Sequence, residues 1–208
     1  AKYALRKAGI TRNVLIDNVF MRNSDDCIAL YNHRWNWWGG SGDITVQNSI
    51  LWADVAHPIN VGGHGDPDSP TGEVIENLIF RNIDILEHDE DDPPYQGCMA
   101  IDCGDKNHVR NILFENIRVE SIQEGRLFYV KVRFNEKYDK APGNSIDGIT
   151  FRNITYTGIG ENPSVIEGLD KERLVKNATF ENVVINGERM KDLKGVVTND
   201  FIKGIKIK

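Results

Sequence analysis

Six segments of this chain read alike, and that self-similarity constrains the fold more than any other feature. Residues 13–21, 43–51, 77–85, 111–119, 148–156 and 177–185 each carry a central asparagine: Asn18, Asn48, Asn82, Asn116, Asn153 and Asn182. The successive separations are 30, 34, 34, 37 and 29 residues. Around each asparagine, β-branched and aromatic residues alternate with polar ones, as in Asn111-Ile112-Leu113-Phe114-Glu115-Asn116-Ile117-Arg118-Val119. That is the period of a strand, not of a helix. An asparagine between two strands adopts the left-handed conformation that a tight corner needs. Stacked copies can pass a hydrogen bond from repeat to repeat, which would also satisfy a buried amide.

A third short strand follows in most repeats, at 28–30, 59–61, 99–101, 127–130 and 164–166. Three strands per repeat imply an all-β fold, a right-handed parallel β-helix of about six coils. Ankyrin and tetratricopeptide repeats have similar lengths, but they require apolar faces at helical spacing, which this chain lacks. The polar tail at 187–208 is expected to cover the C-terminal end, because an open strand edge needs a cover. Residues 1–208 read as one β-helix domain. The chain opens on Ala1, with neither an initiator Met nor an apolar leader. It therefore reads as the C-terminal part of a longer protein, secreted or periplasmic once a removed signal is allowed for.

Composition excludes some partners. The net charge is -6, and no Lys/Arg run forms a basic stripe, which argues against nucleic acid. No apolar run approaches the ~18 residues of a membrane span. Cys27, Cys98 and Cys103 fit neither a disulfide framework nor a zinc site and read as buried thiols. No cofactor or metal is expected. The acidic run His88-Asp89-Glu90-Asp91-Asp92 lacks the ligand spacing of a calcium loop and reads as solvated.

The chemistry concentrates in two lines of sequence. Asn23-Ser24-Asp25-Asp26-Cys27-Ile28-Ala29-Leu30 places two carboxylates before a third strand, and Ala56-His57-Pro58-Ile59-Asn60-Val61-Gly62 places His57 at the matching step 31 residues later. Equivalent positions in adjacent repeats lie roughly 5 Å apart. Asp25, Asp26 and His57 are thus expected as one vertical cluster on an outer face. Two close carboxylates can divide the work of glycosidic hydrolysis, one protonated and donating to the leaving oxygen, the other ionised and activating water. The competing reading is an Asp-Asp turn that bonds to its own backbone; the register with His57 favours the site.

These two lines resemble the polygalacturonase family, glycoside hydrolase family 28, whose pattern has an Asp-Asp-Cys-hydrophobic-Ala segment and, one coil later, a histidine segment. The resemblance implies an inverting hydrolase on a pectin-lyase-like β-helix. It makes Asp26 similar to the general acid, Asp25 to one of two water-activating aspartates, and His57 to the assisting histidine. Two places depart from the pattern. The family's third aspartate should fall near residue 4, where Tyr3-Ala4-Leu5 stands. The family's cationic segment is replaced by Gly97-Cys98-Met99-Ala100-Ile101-Asp102, in which Asp102 would repel an acidic sugar. The dextranase and isopullulanase family, glycoside hydrolase family 49, is similar in pairing Asp-Asp on a β-helix without that segment. The expected substrate is therefore a neutral polysaccharide or oligosaccharide. A non-catalytic glycan-binding protein and a polysaccharide lyase are the alternatives.

Trp35, Trp37 and Trp38, in the loop after the Asp25-Asp26 strand, are candidates for stacking on pyranose rings, although covering a sheet edge would explain them equally well. His33, Arg34, Asn60, His64 and Asp102 complete the candidate substrate-binding set. His64, in a glycine-rich loop, also reads as a solvated residue.

Overall fold

A computed structural model describes residues 5–7, 9–158 and 162–208. Among them the regular structure is β apart from one short 3-10 turn. One sheet of seven strands stacks Leu5–Lys7, Ile28–Leu30, Ile59–Val61, Met99–Cys103, Phe128–Val132, Val165–Glu167 and Val197–Thr198. Every neighbouring pair in it is parallel. A second sheet stacks the long strands Ser41–Ala53, Val74–Glu87, His108–Val119, Ser145–Tyr156 and Val175–Ile185, again in parallel, with Thr11–Asp17 and Phe20–Asn23 at one end. The result is a solenoid-like stack in which each repeat contacts its sequence neighbours.

The expected third strands lie where the sequence places them. The two strands flanking each asparagine, in contrast, run on as a single long strand from the second repeat onward, with the asparagine as a bend inside it. All six pivots have positive φ, between 51° and 55°. Their amides form a partial ladder: Asn82 donates to Asn48 at 2.8 Å, Asn153 to Asn116 at 2.9 Å and Asn182 to Asn153 at 2.9 Å. At its ends and middle the ladder departs from the expectation. Asn48 donates to Asp17, and the Asn82 oxygen is taken by Arg118. Asn48, Asn82, Asn116, Asn153 and Asn182 are exposed, so the ladder is a surface corner and not a buried polar spine.

A second left-handed column runs five residues upstream: Asn13, Asp43, Asn77, Asn111 and Asn177, with Gly148 in the remaining repeat. It has a ladder of its own, Asn77 to Asp43 at 2.9 Å and Asn111 to Asn77 at 3.3 Å. Each repeat thus turns two corners at positive φ, at Gly148 with no side chain and elsewhere with one that tolerates it, several of them bonding along the stack.

Between the sheets lies one apolar core. Phe80, Phe114, Phe151 and Phe180 hold the same register position in four successive strands and stack with centroids 5.0, 4.9 and 5.1 Å apart. Offset stacks of this kind add to the burial of each ring. Cys27, Cys98 and Cys103 are free thiols packed in this core. The tail closes the stack as expected. Val197–Thr198 pairs with Val165–Glu167, and Ile202–Lys203 and Lys206–Ile207 pair with Val175–Ile185. Met190, Leu193, Val196, Ile205 and Ile207 pack on the core from that end.

Candidate functional site

Ile28 pairs with Ile59 and Leu30 with Val61, so Asp26 and His57 hold equivalent places in adjacent repeats. Cys27 and Ile28 both enter the core, and this bend at the strand entry turns Asp26 out of it. The two side chains meet: Asp26 Oδ1 lies 2.7 Å from His57 Nδ1 and accepts the His57 backbone N–H at 3.2 Å. Asp26 Oδ2 accepts from Tyr31 Oη at 2.9 Å and from Asn60 Nδ2 at 3.3 Å. On its far side, His57 Nε2 donates to the carbonyl of Tyr95.

A carbonyl can only accept, so Nε2 carries a proton. Nδ1 faces a carboxylate, and the imidazole is held as a cation against an anion. Burial works against the charge on Asp26, but His57 and the hydrogen bonds from Tyr31 and Asn60 outweigh it and hold the carboxyl below its ordinary range. Burial likewise opposes a charged His57, and Asp26, with smaller help from Asp102 and Glu90, overcomes it and raises the imidazole. The pair is therefore a buried salt bridge. Asp26 is 1% exposed and His57 0%. The expected outward-facing acid is instead ionised and covered, and in this state it has no proton to donate.

Asp25 stays half-buried, and its Oδ1 accepts the Asp26 backbone N–H at 2.8 Å, the turn-type bond that the dipeptide alone suggested. Asn60 is fully buried and bridges Asp26 and Tyr31 to the Tyr95 hydroxyl at 3.1 Å. Asp102 does not face a substrate either. It is 1% exposed, with Arg133 Nε 2.6 Å away. Burial raises its carboxyl, while Arg133 pulls the other way. Part of the case for a neutral sugar rested on an uncompensated Asp102, and Arg133 from the next repeat compensates it; the other part rested on the missing cationic segment. The place of the third aspartate, near residue 4, lies outside the described residues.

The aromatic loop is a small hairpin, with His33–Arg34 antiparallel to Trp37–Trp38 and Trp35 at its tip with φ 54°. Trp35 and Trp37 are each 66% exposed and Trp38 is 47%. Trp38 stacks on His33 at 3.4 Å, and the Arg34 guanidinium lies 5.7 Å from the Trp35 ring. A cleft of about 210 Å³ opens beside them, lined by His33, Arg34, Trp35, Trp38, His64, Pro67, Asp68, Asp105, Tyr138 and Lys140. Trp37 does not line it. His64 is a joint between loops rather than a solvated residue. Its Nε2 accepts from Arg34 at 3.0 Å, and its carbonyl accepts from the backbone of Asn32 and His33. Since a guanidinium only donates, His64 carries its proton on Nδ1.

Several residues at the site were not anticipated. Tyr31, Tyr95, Arg126, Tyr129, Arg133 and Asp139 all reach the Asp26–His57 face or its cover. Tyr31 follows the Asp26 strand directly, and Arg133 and Asp139 belong to the one long insertion in the fourth repeat; those were the available signals. The acidic run at 88–92 is also not simply solvated. His88 is fully buried, donates Nδ1–H to the Ala56 carbonyl and accepts the Gly97 N–H on Nε2. Burial, with the cation at His57, pushes its pKa down to about 3, so it stays neutral and fixes the backbone that carries His57. No group of His, Cys, Asp or Glu among the described residues has a geometry that would hold a metal ion.

No protein-family model matches the chain, and no curated protein matches it. Among solved structures it is similar to the Yersinia enterocolitica family 28 exopolygalacturonase, at 12% sequence identity and a TM-score of 0.40. The overlap covers 88% of this chain and 38% of that one. At that identity and overlap, the likeness carries no argument about this chain.

Proposed function

We propose that the chain is a carbohydrate-active protein, built as a right-handed parallel β-helix of about six coils, that binds a polysaccharide or oligosaccharide along the face bearing Trp35 and Trp38. One observation carries this reading: two exposed indoles and a histidine–arginine pair border an open cleft beside the Asp26–His57 face. Indole faces stack on pyranose rings, and Arg34, Tyr138 and Lys140 can donate to hydroxyls. The motif resemblance of 23–30 and 56–62 supports the same substrate class.

Inverting hydrolysis by Asp25, Asp26 and His57 is the chemistry that the motif suggests. It requires Asp26 to be uncovered and protonated. Glycan binding without hydrolysis is the second reading, and the buried, ionised state of Asp26 favours it.

Indole fluorescence, titrated with isomaltohexaose and with hexagalacturonate, tests the shared claim. Saturable quenching that weakens by ~10-fold or more in Trp35→Ala or Trp38→Ala is expected, on the scale of ~1.4 kcal/mol per tenfold. The absence of binding to any glycan would sink the reading. New reducing ends from the unmutated protein, absent with Asp26→Asn, would select the hydrolase; a product absorbing in the near ultraviolet would select a lyase.

A further inference from the structure

Four polar donors in neighbouring repeats lie on or just before strands of the seven-stranded sheet, and one short turn takes all of them. Arg126 Nη2 donates to the Pro93 carbonyl at 3.2 Å, and Tyr129 Oη to the Pro94 carbonyl at 2.9 Å. His57 Nε2 donates to the Tyr95 carbonyl, and Asn60 Nδ2 to the Tyr95 hydroxyl at 3.1 Å. The Tyr95 ring stands edge-on over His57, with centroids 4.3 Å apart.

The turn itself is Pro93–Tyr95, a single 3-10 turn that belongs to neither sheet. Pro93 and Pro94 have no N–H, and the Tyr95 N–H is spent inside the turn on Asp92. Its outer side is solvent: Pro93 and Pro94 are exposed and Tyr95 is half-buried. The cover is therefore one residue thick and held by side chains alone. A brace comes from the 133–144 loop, where Tyr138 stacks on Tyr95 at 5.4 Å and Arg133 joins Asp102 to Asp139.

What lies beneath is unlike a permanent interior. Asn60 Oδ1, Asp102 Oδ2, Arg133 Nη1 and Asp139 Oδ1 are buried without a hydrogen-bond partner among the described residues, although Arg133 Nε pairs with Asp102 Oδ1 and Asp139 Oδ2. Covered faces normally satisfy such atoms or replace them by apolar groups. Donors aimed outward at a row of three carbonyls and a hydroxyl, with an aromatic ring among them, form the pattern that a sugar ring and its hydroxyls would meet.

We propose that the Pro93–Tyr95 turn is an internal plug seated in a sugar subsite, and that a glycan unit entering from the Trp35–Trp38 cleft displaces it and takes over Arg126, Tyr129, His57 and Asn60. The plug stands on the geometry above; its occupant rests on the glycan reading.

Amide hydrogen exchange of the unmutated protein tests the plug without a ligand. The Tyr95 and Gln96 amides are expected to exchange through local opening, ~100-fold or more faster than Ile101 and Phe114. Exchange at the core rate would overturn the plug. In the variant carrying Pro93→Gly, Pro94→Gly and Tyr95→Gly, the Nε2 proton of His57, no longer covered, is expected to exchange with solvent faster than the His88 Nδ1 proton, which stays on the Ala56 carbonyl. A folded variant whose His57 Nε2 proton stays as protected as that of His88 also overturns it, and if the variant does not fold, exchange in the unmutated protein decides. Isomaltohexaose or hexagalacturonate should then protect His57 in the variant. Opening without protection by either sugar overturns the subsite and leaves the plug standing.

Discussion

Gly125 lies directly against the His88 imidazole. Its φ is +150°, and a Cβ at that position would stand 2.4 Å from His88 Nε2. That nitrogen accepts the Gly97 N–H, and the same ring holds the Ala56 carbonyl next to His57. A glycine in one repeat thus sets the position of a histidine in the preceding repeat, and through it the site strand. Gly125→Ala should destabilise the fold by about 1–3 kcal/mol, the range for overpacking a filled interior. Urea unfolding measures it. A midpoint unchanged from the unmutated protein would show that His88 yields freely.

The Asp26–His57 salt bridge should be costly to break from one side. Asp26→Asn leaves a buried imidazolium without its counter-charge, and a loss of about 3–5 kcal/mol is expected. Replacing both partners, Asp26→Asn with His57→Gln, should recover part of that loss. A double variant as unstable as the two single variants summed would argue against a direct pair.

Two buried groups pull the pH dependence of stability in opposite directions. His88 has its folded pKa lowered to about 3, against ~6.5 unfolded. Below that unfolded value the unfolded chain takes up a proton that the folded one refuses, so stability falls as pH drops from 6.5 towards 3. Burial raises Asp139 to about 7, although Arg133 opposes it, against ~3.9 unfolded. Between those values the folded chain holds the extra proton, so this contribution declines as pH rises from 4 to 7. Relative to the unmutated protein, His88→Asn should raise stability at pH 5 compared with pH 7, and Asp139→Asn should lower it. Thermal melts at the two pH values give the signs; a reversal of either would refute that assignment.

The pivot asparagines should matter through backbone conformation as much as through their amides. Asn153 has φ 54°, donates to Asn116 and accepts from Asn182. Asn153→Ala should cost about 2–3 kcal/mol, combining ~1–2 for the left-handed backbone with ~1 for the lost hydrogen bonding. Asn153→Gly should cost less, because it keeps the conformation at no steric penalty. Equal losses in the two variants would assign the whole effect to the ladder.

The repeat was legible because it is written in positions that physics leaves little choice about. Alternation marks the strands, and an asparagine at positive φ marks the corner. The second corner was equally visible in Asn13, Asp43, Asn77, Asn111 and Asn177, at the head of five of the six aligned segments, but only a structure shows that this column also bends. The contact between Asp26 and His57 followed from their equal distance to paired strands. Its burial did not. The cover comes from Tyr95 and the loop beyond Arg133, segments outside the repeat pattern, and periodicity carries no information on how an insertion folds back. Asp102 was misread for the same reason, since its partner Arg133 belongs to the next repeat.

The tail at 187–208 has a further consequence. A stack whose strands all run parallel is, in materials terms, a one-dimensional polymer, and its last strand is a template for another unit. Here the chain reverses: Glu188–Arg189 pairs antiparallel with Val184 and Ile185, and only two-residue strands follow. These short pieces occupy the growing end and offer little edge to copy. The tail thus blunts that edge of the stack, and a variant shortened at residue 186 would leave the edge of Val175–Ile185 bare to another chain.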